Sequence, residues 1–223
     1  MANVRSGSSG CPGSDCLNWQ PTLLDDPGDP PAFDPSFTSA RRIALDDTAW
    51  VHHVAGWVRG ADTLFEHVVA HAPWEHRTVR MYDRTVEEPR LTAWYGRTLG
   101  DAGVPAILTQ MAAALRVRYR RAFDGVGAAL YRDGRDSVAW HSDRIDPAIV
   151  EPVVAIISLG SARTLRMRPR MRSREHRGRS RAFPLLPGDL FVMGGTTQTT
   201  WEHAVPKVAR AGARVSLQFR HST

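Results

Sequence analysis

The stretch Ala139-Trp-His-Ser-Asp143 contains the motif from which the rest of the sequence is interpreted. His141 and Asp143 are two residues apart, so on a β-strand both side chains project from the same face. Two imidazoles and one carboxylate on one side of a metal, with the other positions open, are typical of non-haem Fe(II) oxygenases. The second histidine must come from a distant strand, and His203 in Trp201-Glu-His-Ala-Val-Pro-Lys207 is the candidate. The motif therefore predicts an iron site formed by His141, Asp143 and His203.

The end of the chain supplies the cationic side chains that a dicarboxylate co-substrate would need. Residues 214–220 are Arg-Val-Ser-Leu-Gln-Phe-Arg, in which apolar and polar residues alternate, and this period predicts a strand with one polar face. Two strand arginines taken alone are more often paired with surface acids. The order His-x-Asp, a distant histidine and then Arg-x5-Arg is much more specific than any of its parts.

This order of motifs resembles the AlkB family of 2-oxoglutarate-dependent dioxygenases, and the resemblance runs from about Thr48 to Arg220. Other matching segments are Pro89-Arg-Leu-Thr-Ala-Trp-Tyr-Gly96, Tyr131-Arg-Asp-Gly134, Ile157-Ser-Leu-Gly160 and Pro187-Gly-Asp-Leu-Phe-Val-Met193. The resemblance implies an α+β, mainly β fold, a double-stranded β-helix (jelly roll) with supporting N-terminal helices. It also implies Fe(II) as cofactor and 2-oxoglutarate and O2 as co-substrates. The implied reaction is oxidative demethylation of alkylated nucleobases in DNA, which produces succinate, CO2 and formaldehyde.

The resemblance also implies roles for individual residues. Arg214 and Tyr131 would bind the distal carboxylate of 2-oxoglutarate, for which the planar fork of arginine is suited. Arg220 would lie near the metal end of the co-substrate and join the three metal ligands in the catalytic set. Ser216 lies on the same strand face as Arg214 and is a weaker candidate. A further segment matches the lining of the base pocket and contains Arg90, Trp94 and Tyr95.

Three departures from the family pattern lead to expectations of their own. Ala129 stands where the family usually has asparagine, so we expect weaker binding of 2-oxoglutarate. Ile145 stands where repair enzymes tend to carry an acid, and Asp146 is displaced by one residue, which on a strand reverses its face. We therefore expect a weaker preference for cationic lesions. The family's aromatic-rich lid is shortened to residues 97–103.

Length and composition predict one domain preceded by a tail. The chain has 223 residues, and its 42% apolar share can fill one sizeable core. Residues 1–40 are rich in Gly, Ser, Pro and Asp, which predicts a disordered tail before a domain over 41–223. Both cysteines, Cys11 and Cys16, lie in that tail, so a disulfide framework is not expected. No apolar run is long enough to span a membrane and no signal region is present, so we expect a cytoplasmic monomer.

Positive charge is concentrated in one segment of the chain. The formal net charge is +6 and Lys207 is the only lysine, so the total reflects a chain-wide arginine bias and the distribution is more telling. Residues 161–183 contain nine arginines opposed by Glu175 alone. Alternation with apolar residues predicts a strand or hairpin that presents arginines to phosphates, although a free arginine-rich loop is the alternative. The candidate nucleic-acid contacts there are Arg166, Arg168, Arg170 and Arg172.

Periodicity predicts two helices followed by many short strands. The helices are expected at Ala61–Ala72 and from Pro105 to about Tyr119. The principal strands are expected at 78–82, 91–95, 126–131, 137–141, 153–159, 164–168, 190–193 and 213–220. Two other functions remain open: a hydroxylase or demethylase acting on RNA or a small molecule, and a non-catalytic nucleic-acid-binding module. Iron-dependent formation of succinate would separate the enzyme from the binding module.

Overall fold

Strands dominate the computed structural model, which describes residues 17–22, 28–81, 84–95, 104–146, 148–170 and 180–220. The helices are α1 (Ala61–His71), α2 (Ala106–Tyr119) and α3 (Thr197–Thr200). The strands are β1 (Ala32–Phe33), β2 (Ala40–Ala44), β3 (Ala49–Val54), β4 (Val58–Arg59), β5 (Glu75–Met81), β6 (Arg84–Trp94), β7 (Gly125–Tyr131), β8 (Val138–His141), β9 (Val154–Gly160), β10 (Arg163–Pro169), β11 (Arg181–Leu185), β12 (Leu190–Gly195), β13 (Trp201–Val205) and β14 (Arg214–Arg220). None of the described helices is long and apolar enough to cross a membrane.

Two antiparallel sheets form the body of the fold. The large sheet has eight strands in the order β2-β3-β12-β9-β14-β7-β6-β5, and the small sheet has four in the order β11-β10-β13-β8. A two-stranded ribbon of β1 and β4 accompanies them. Two packed antiparallel sheets with these crossovers confirm the expected jelly roll.

The period of two along the central strands divides the interior into two cores. On β14, Val215, Leu217 and Phe219 join the helix-side core, the apolar cluster between the large sheet and helices α1 and α2. Residues of the opposite strand faces, such as Val154 and Ile156 on β9, join the inter-sheet core between the two sheets. Strands such as β9 are therefore buried on both faces, and the polar residues of their inner faces are enclosed as well.

The helices support the large sheet from outside. In α1, Leu64, Phe65 and Val68 are buried against the sheet, and the ring of Phe65 covers the end of β9. Gly160 ends that strand with φ +73, and an added Cβ would lie 2.6 Å from the carbonyl oxygen of Ala213. Only glycine suits this combination of left-handed backbone and close approach. The predicted helices over 61–72 and 105–119 are confirmed within one residue at each end.

The N-terminal segment differs from the expected disordered tail of residues 1–40 wherever it is described. Phe37 is buried in the helix-side core, and β1, which lies within the predicted tail, pairs with β4 of the domain. The ring of Trp19 lies 4.6 Å from that of Phe65, and the backbone N–H of Ala213 donates to Asn18. Composition favours disorder there, but a few aromatic side chains are enough to hold the segment on the domain. Residues 1–16, which include both cysteines, and 23–27 lie outside the described residues.

Candidate active site

The site lies on the inner faces of the two sheets, where the strand period turns polar residues toward each other. Arg90, Thr92 and Trp94 of β6 alternate with core residues, as do Ala129 and Tyr131 of β7. Four polar residues of β14 share that face, in the order Arg214, Ser216, Gln218 and Arg220. The small sheet contributes His141 and His203, which are register partners on β8 and β13.

The predicted ligand triad is brought together. The candidate ligand atoms of His141, Asp143 and His203 all lie within 4.8 Å of one another. The two imidazole centroids are 4.3 Å apart, and Nε2 of His203 is 3.8 Å from Oδ2 of Asp143. Two imidazoles and a carboxylate gathered on one side are the donor set that Fe(II) takes in non-haem oxygenases, so these residues fit the metal.

The route by which Asp143 reaches the histidines differs from the prediction. Strand β8 ends at His141, so a shared strand face does not orient Asp143. Instead, the backbone N–H of Asp143 donates to Oε1 of Gln198 at 2.9 Å, and the hydroxyl of Ser142 donates to the carbonyl of Trp201 at 2.8 Å. Gln198 has no signal in the sequence, because it lies in a short Thr-rich segment without periodicity.

A hydrogen bond orients His141 toward a metal, and burial keeps His203 neutral. Nδ1 of His141 lies 2.8 Å from the carbonyl oxygen of Ala139, and because a carbonyl only accepts, Nδ1 carries the proton and Nε2 is left for a metal. Burial lowers the pKa of His203 to about 4; the nearby Asp143 opposes this shift, and His141, Arg220 and Arg90 add to it. His203 is thus neutral at pH 7, as metal coordination requires.

Arg214 provides a buried cation for a carboxylate. Its side chain is 1% exposed, and its Nε donates to the hydroxyl of Ser158 at 2.9 Å. Its Nη1 has no hydrogen-bond partner among the described residues. Burial lowers the pKa of Arg214 to about 10, so the guanidinium is still charged at neutral pH. An enclosed charge with a free donor fits one carboxylate of 2-oxoglutarate.

Arg220, on the same strand face as Arg214, contacts the ligand triad. Its Nη1 is 3.5 Å from Oδ1 of Asp143, and its Nη2 donates to Oε1 of Gln218 at 2.9 Å. The buried Nε of Arg220 has no partner among the described residues. Ser216, which accepts a long hydrogen bond of 3.4 Å from Gln218, pairs in register with Ala129. The structure therefore places Arg214 and Arg220 at opposite ends of one polar strand face.

Tyr131 lies among three guanidinium groups, two of which were not expected beside it. The guanidinium carbons of Arg214, Arg163 and Arg90 are 5.3, 5.6 and 5.9 Å from its ring centroid. Arg90 donates to the hydroxyl of Tyr131 at 3.3 Å and has a buried Nε without a partner in the described part of the chain. Arg163 instead donates to the backbone carbonyls of Asp133, Asp136 and Pro206. The position of Arg163 beside Tyr131 could not be predicted from the sequence, because Arg163 precedes a dense run of other arginines.

Trp94 and Tyr95, both predicted to contact substrate, are separated by the strand period. Trp94 is 43% exposed on the site face, with the guanidinium carbon of Arg220 6.0 Å from its ring centroid. Tyr95 is 7% exposed and packs in the helix-side core, where burial raises its pKa to about 12. Trp94 is therefore placed where a base could stack, whereas the ring of Tyr95 is enclosed on the other side of the sheet, away from the site. The contacts of both residues with substrate stay predictions. The predicted lid lies outside the described residues.

The two ends of the arginine-rich segment lie in β10 and β11, which pair as an antiparallel hairpin. Met167 faces inward beside its register partner His203, so Arg166 and Arg168 face outward on the small sheet. Arg168 is already engaged, because its Nε donates to Glu202 at 3.0 Å and its guanidinium carbon lies 4.3 Å from the ring centroid of Trp140. Arg170 is exposed and donates to the carbonyl of Thr199. Arg172 lies outside the described residues.

Comparisons with known proteins agree with this geometry. The profile of the 2OG-Fe(II) oxygenase superfamily matches residues 49–220. The human alpha-ketoglutarate-dependent dioxygenase alkB homolog 3 is 33% identical over 178 residues, which is 73% of this chain and 62% of the relative. The DNA oxidative demethylase ALKBH2 of Arabidopsis thaliana is 26% identical over 191 residues, or 71% of this chain and 61% of that protein. The chain thus spans about three fifths of the length of these relatives.

A solved structure supports the fold. The structure of OsALKBH1 superposes with a TM-score of 0.51 and 12% sequence identity, covering 82% of this chain and 100% of that one. At this identity the likeness concerns the arrangement of strands and helices alone.

Proposed function

Since this chain belongs to the 2OG-Fe(II) oxygenase superfamily and is AlkB-like, we propose that it oxidatively removes N-methyl groups from alkylated nucleobases in DNA. Membership makes Fe(II) the cofactor and 2-oxoglutarate the co-substrate. The DNA substrate is supported by the Arabidopsis relative, whose name describes a DNA oxidative demethylase. The observation that carries the proposal is the approach of His141, Asp143 and His203 to within 4.8 Å beside two arginines with free buried donors.

The proposed reaction balances with one molecule of each co-substrate. Fe(II) and 2-oxoglutarate, when bound, supply the activation of O2, with succinate and CO2 as products. One oxygen atom enters succinate and the other converts the N–CH3 group into N–CH2OH. The C–N bond of this hemiaminal then breaks, with its electron pair passing to nitrogen, and formaldehyde leaves. The hydroxyl proton is released to solvent when the base was cationic, as in 1-methyladenine, and is transferred to the nitrogen when the base was neutral.

In this proposal the chain's own residues bind and orient the reactants. His141, Asp143 and His203 hold the metal, and the lowered pKa of the buried His203 keeps that histidine neutral. Arg214 binds the distal carboxylate and is kept in place by Ser158. Excluding bulk water strengthens each of these charge contacts, and the burial of the inner strand faces provides that exclusion.

Arg220 and Trp94 complete the proposed assignments near the metal. Arg220 lies between Asp143 and the ring of Trp94, where it can contact the metal end of the co-substrate and limit its movement. The exposed face of Trp94 suits stacking against a flipped base, which is how enzymes of this kind reach a base edge. Ser216 is a supporting polar contact on the same face.

The direct test follows substrate and co-substrate together. Purified protein is incubated with Fe(II), 2-oxoglutarate and matched DNA and RNA oligonucleotides that carry 1-methyladenine or 3-methylcytosine. We expect succinate to form in step with loss of one CH2 from the DNA base, measured by mass spectrometry. Asp143→Ala should abolish both signals, whereas Asp146→Ala, which removes an exposed carboxylate three residues away, should retain them. Turnover confined to RNA or to the free nucleoside would contradict the proposal.

The cellular setting is part of the same proposal. We propose a cytoplasmic monomer that acts on DNA. Light scattering of the purified protein, alone and with an oligonucleotide, should give the mass of one chain and then of one chain on one oligonucleotide. A stable dimer would contradict the monomer.

A further inference from the structure

The position of the Asp143 carboxylate depends on a segment that is not part of a sheet. Strand β8 ends at His141, and residues 142–146 form no strand or helix. Within the described part of the chain, this segment is tied to α3 and the start of β13 at two points. These are the hydrogen bond from Ser142 to Trp201 and the one from Asp143 to Gln198.

The chemistry of the Gln198 contact makes it the more specific of the two. Because the backbone N–H of Asp143 can only donate, the oxygen of the amide must face it, at 2.9 Å. The amide nitrogen of Gln198 faces the sulfur of Met193 at 3.9 Å, and sulfur is a weak acceptor. The side chain is only 6% exposed, so water cannot easily replace the amide oxygen if it is removed.

We propose that Gln198 is a positioning residue for the metal centre. Its amide oxygen fixes the backbone at Asp143 and thereby aims the carboxylate at the two imidazoles. Without this acceptor the buried N–H is left unsatisfied and the segment shifts to satisfy it. Outer contacts that orient a metal ligand typically change metal affinity by about 10–100-fold. The inference rests on the proposed function, because it requires that the triad binds a metal.

The experiment compares metal affinity with fold stability. Co(II) is titrated anaerobically into metal-free protein without co-substrate, and the d–d absorption band gives both affinity and coordination. Gln198→Met keeps the length of the side chain without an oxygen and should weaken Co(II) binding by about tenfold or more, with a changed band. Gln198→Glu keeps an oxygen at the same reach and should stay within about threefold of the parent. Thr199→Ala, on the solvent side of α3, is the matched control and should not change the affinity.

Thermal unfolding of the metal-free variants separates positioning from a purely structural role. A structural role alone would lower the midpoint of Gln198→Met and leave the Co(II) affinity of its folded fraction unchanged, and that result would overturn the inference. If Gln198→Met does not fold, Gln198→Asn keeps the amide but shortens its reach, and parental Co(II) affinity in that variant would overturn the inference as well. A parent that binds no Co(II) would overturn the proposed function and this inference with it.

Discussion

Buried positive charge is the feature of the site that single residues explain best. Arg214 is buried without a carboxylate partner among the described residues. Arg90 and Arg220 lie 3.5 Å from Glu88 and Asp143, but the buried Nε of each lacks an acceptor in the described part of the chain. A buried charge that is left unpaired lowers the stability of a fold, so such a cluster fits a ligand that brings negative charge. The dianion 2-oxoglutarate would complete it.

Replacement of Arg214 should therefore weaken 2-oxoglutarate binding without a matching loss of fold stability. Arg214→Met removes the charge and all five N–H donors at similar length, so we expect 2-oxoglutarate binding to weaken about tenfold or more. The metal-free protein should lose little stability or gain some, because desolvation of the guanidinium no longer opposes folding. Calorimetric titration with 2-oxoglutarate and Mn(II), together with thermal unfolding, measures both. Unchanged affinity would place the carboxylate clamp elsewhere.

Ala129 offers a test of the missing amide. It faces the inter-sheet core between Thr92 of β6 and Ser216 of β14, so an asparagine there would direct its amide toward the co-substrate face. Ala129→Asn should tighten 2-oxoglutarate binding by about 0.5–1.5 kcal/mol, the usual net value of one hydrogen bond. Ala129→Val adds volume without a donor and is the control. If Ala129→Asn and the parent bind 2-oxoglutarate equally well, the missing asparagine amide does not affect the affinity.

The preference between cationic and neutral substrates should depend on the residue at position 145. The side chain packs against the inter-sheet core, while Asp146 is exposed and accepts from the N–H of Ala148. The carboxylate of Glu88 on the site face is already paired with Arg90 at 3.5 Å, so we expect little preference for cationic 3-methylcytosine over a neutral etheno base. Ile145→Glu should raise that turnover ratio several-fold, since an adjacent opposite charge is favourable before desolvation. Ile145→Gln is the uncharged control, and a parent that already strongly prefers 3-methylcytosine would contradict this reasoning.

At the scale of elements, the β10–β11 hairpin turns Arg166 and Arg168 away from the metal site, whereas Arg163 at the start of β10 is buried beside Tyr131. Alternation of arginine with Leu165 and Met167 sets this face, because the apolar residues are drawn into the inter-sheet core. The outward arginines are not equivalent. Arg168 is held by Glu202 and Trp140, whereas Arg166 has no carboxylate partner within the described residues and is exposed.

DNA binding by the hairpin should reflect this difference. Each phosphate contact adds about 0.9 to the magnitude of the slope of log Kd against log salt for duplex DNA. Arg166→Gln with Arg170→Gln should therefore lower that magnitude by up to about 2 and weaken all sequences alike. Arg168→Gln should have a smaller effect, because Glu202 already neutralises its charge. Fluorescence anisotropy over a salt series measures the slopes, and a parental slope in the double variant would show that the hairpin does not contact phosphates.

The same hairpin shows why some elements could be predicted and others not. Strands such as β9 and β14 are central, and their long apolar or alternating runs made them visible in the sequence. Strand β11 contains Pro184 and was missed, since proline argues against a strand except at an edge, and β11 is an edge. Strand β2, the other missed edge, is mostly exposed and carries two adjacent arginines. Contacts such as Gln198 to Asp143 join segments 55 positions apart and have no periodic signal.

At the scale of the whole molecule, α2 is joined to β3, the strand next to the edge of the large sheet, through a half-buried polar contact. Nδ1 of His52 on β3 is 3.1 Å from the hydroxyl of Tyr119 at the end of α2. Burial raises the pKa of Tyr119 to about 12, so the hydroxyl keeps its proton and donates to a neutral imidazole. Burial also lowers the pKa of His52 to about 4, with further lowering by Arg42 and Arg118. Protonation of His52 would add a positive charge in a partly buried position beside Arg42 and Arg118.

The stability of the protein should consequently fall as the pH decreases from about 6.5 to 4. In this window an unfolded chain takes up a proton at His52, whose ordinary pKa is 6.5, while the folded chain does not until about pH 4, so proton uptake favours unfolding. Carboxyl groups with a lowered pKa affect stability in a different pH window. At Asp189 burial alone would raise the pKa, but hydrogen bonds from His53, Gly56 and Leu186 lower it below the ordinary value. Their stabilisation is present above the ordinary carboxyl pKa of about 3.9 and is lost below it.

Urea unfolding of the parent and of His52→Gln at a series of pH values separates the two contributions. Glutamine at position 52 takes up no proton, so the free energy of unfolding of the variant should vary less between pH 6.5 and 4. Its slope against pH should be smaller than the parental slope by an amount that corresponds to up to about one bound proton. His76→Gln, which changes an exposed histidine on β5, is the control and should keep the parental slope. If the parent and His52→Gln have the same slope, the contact between α2 and β3 is not sensitive to pH in this window.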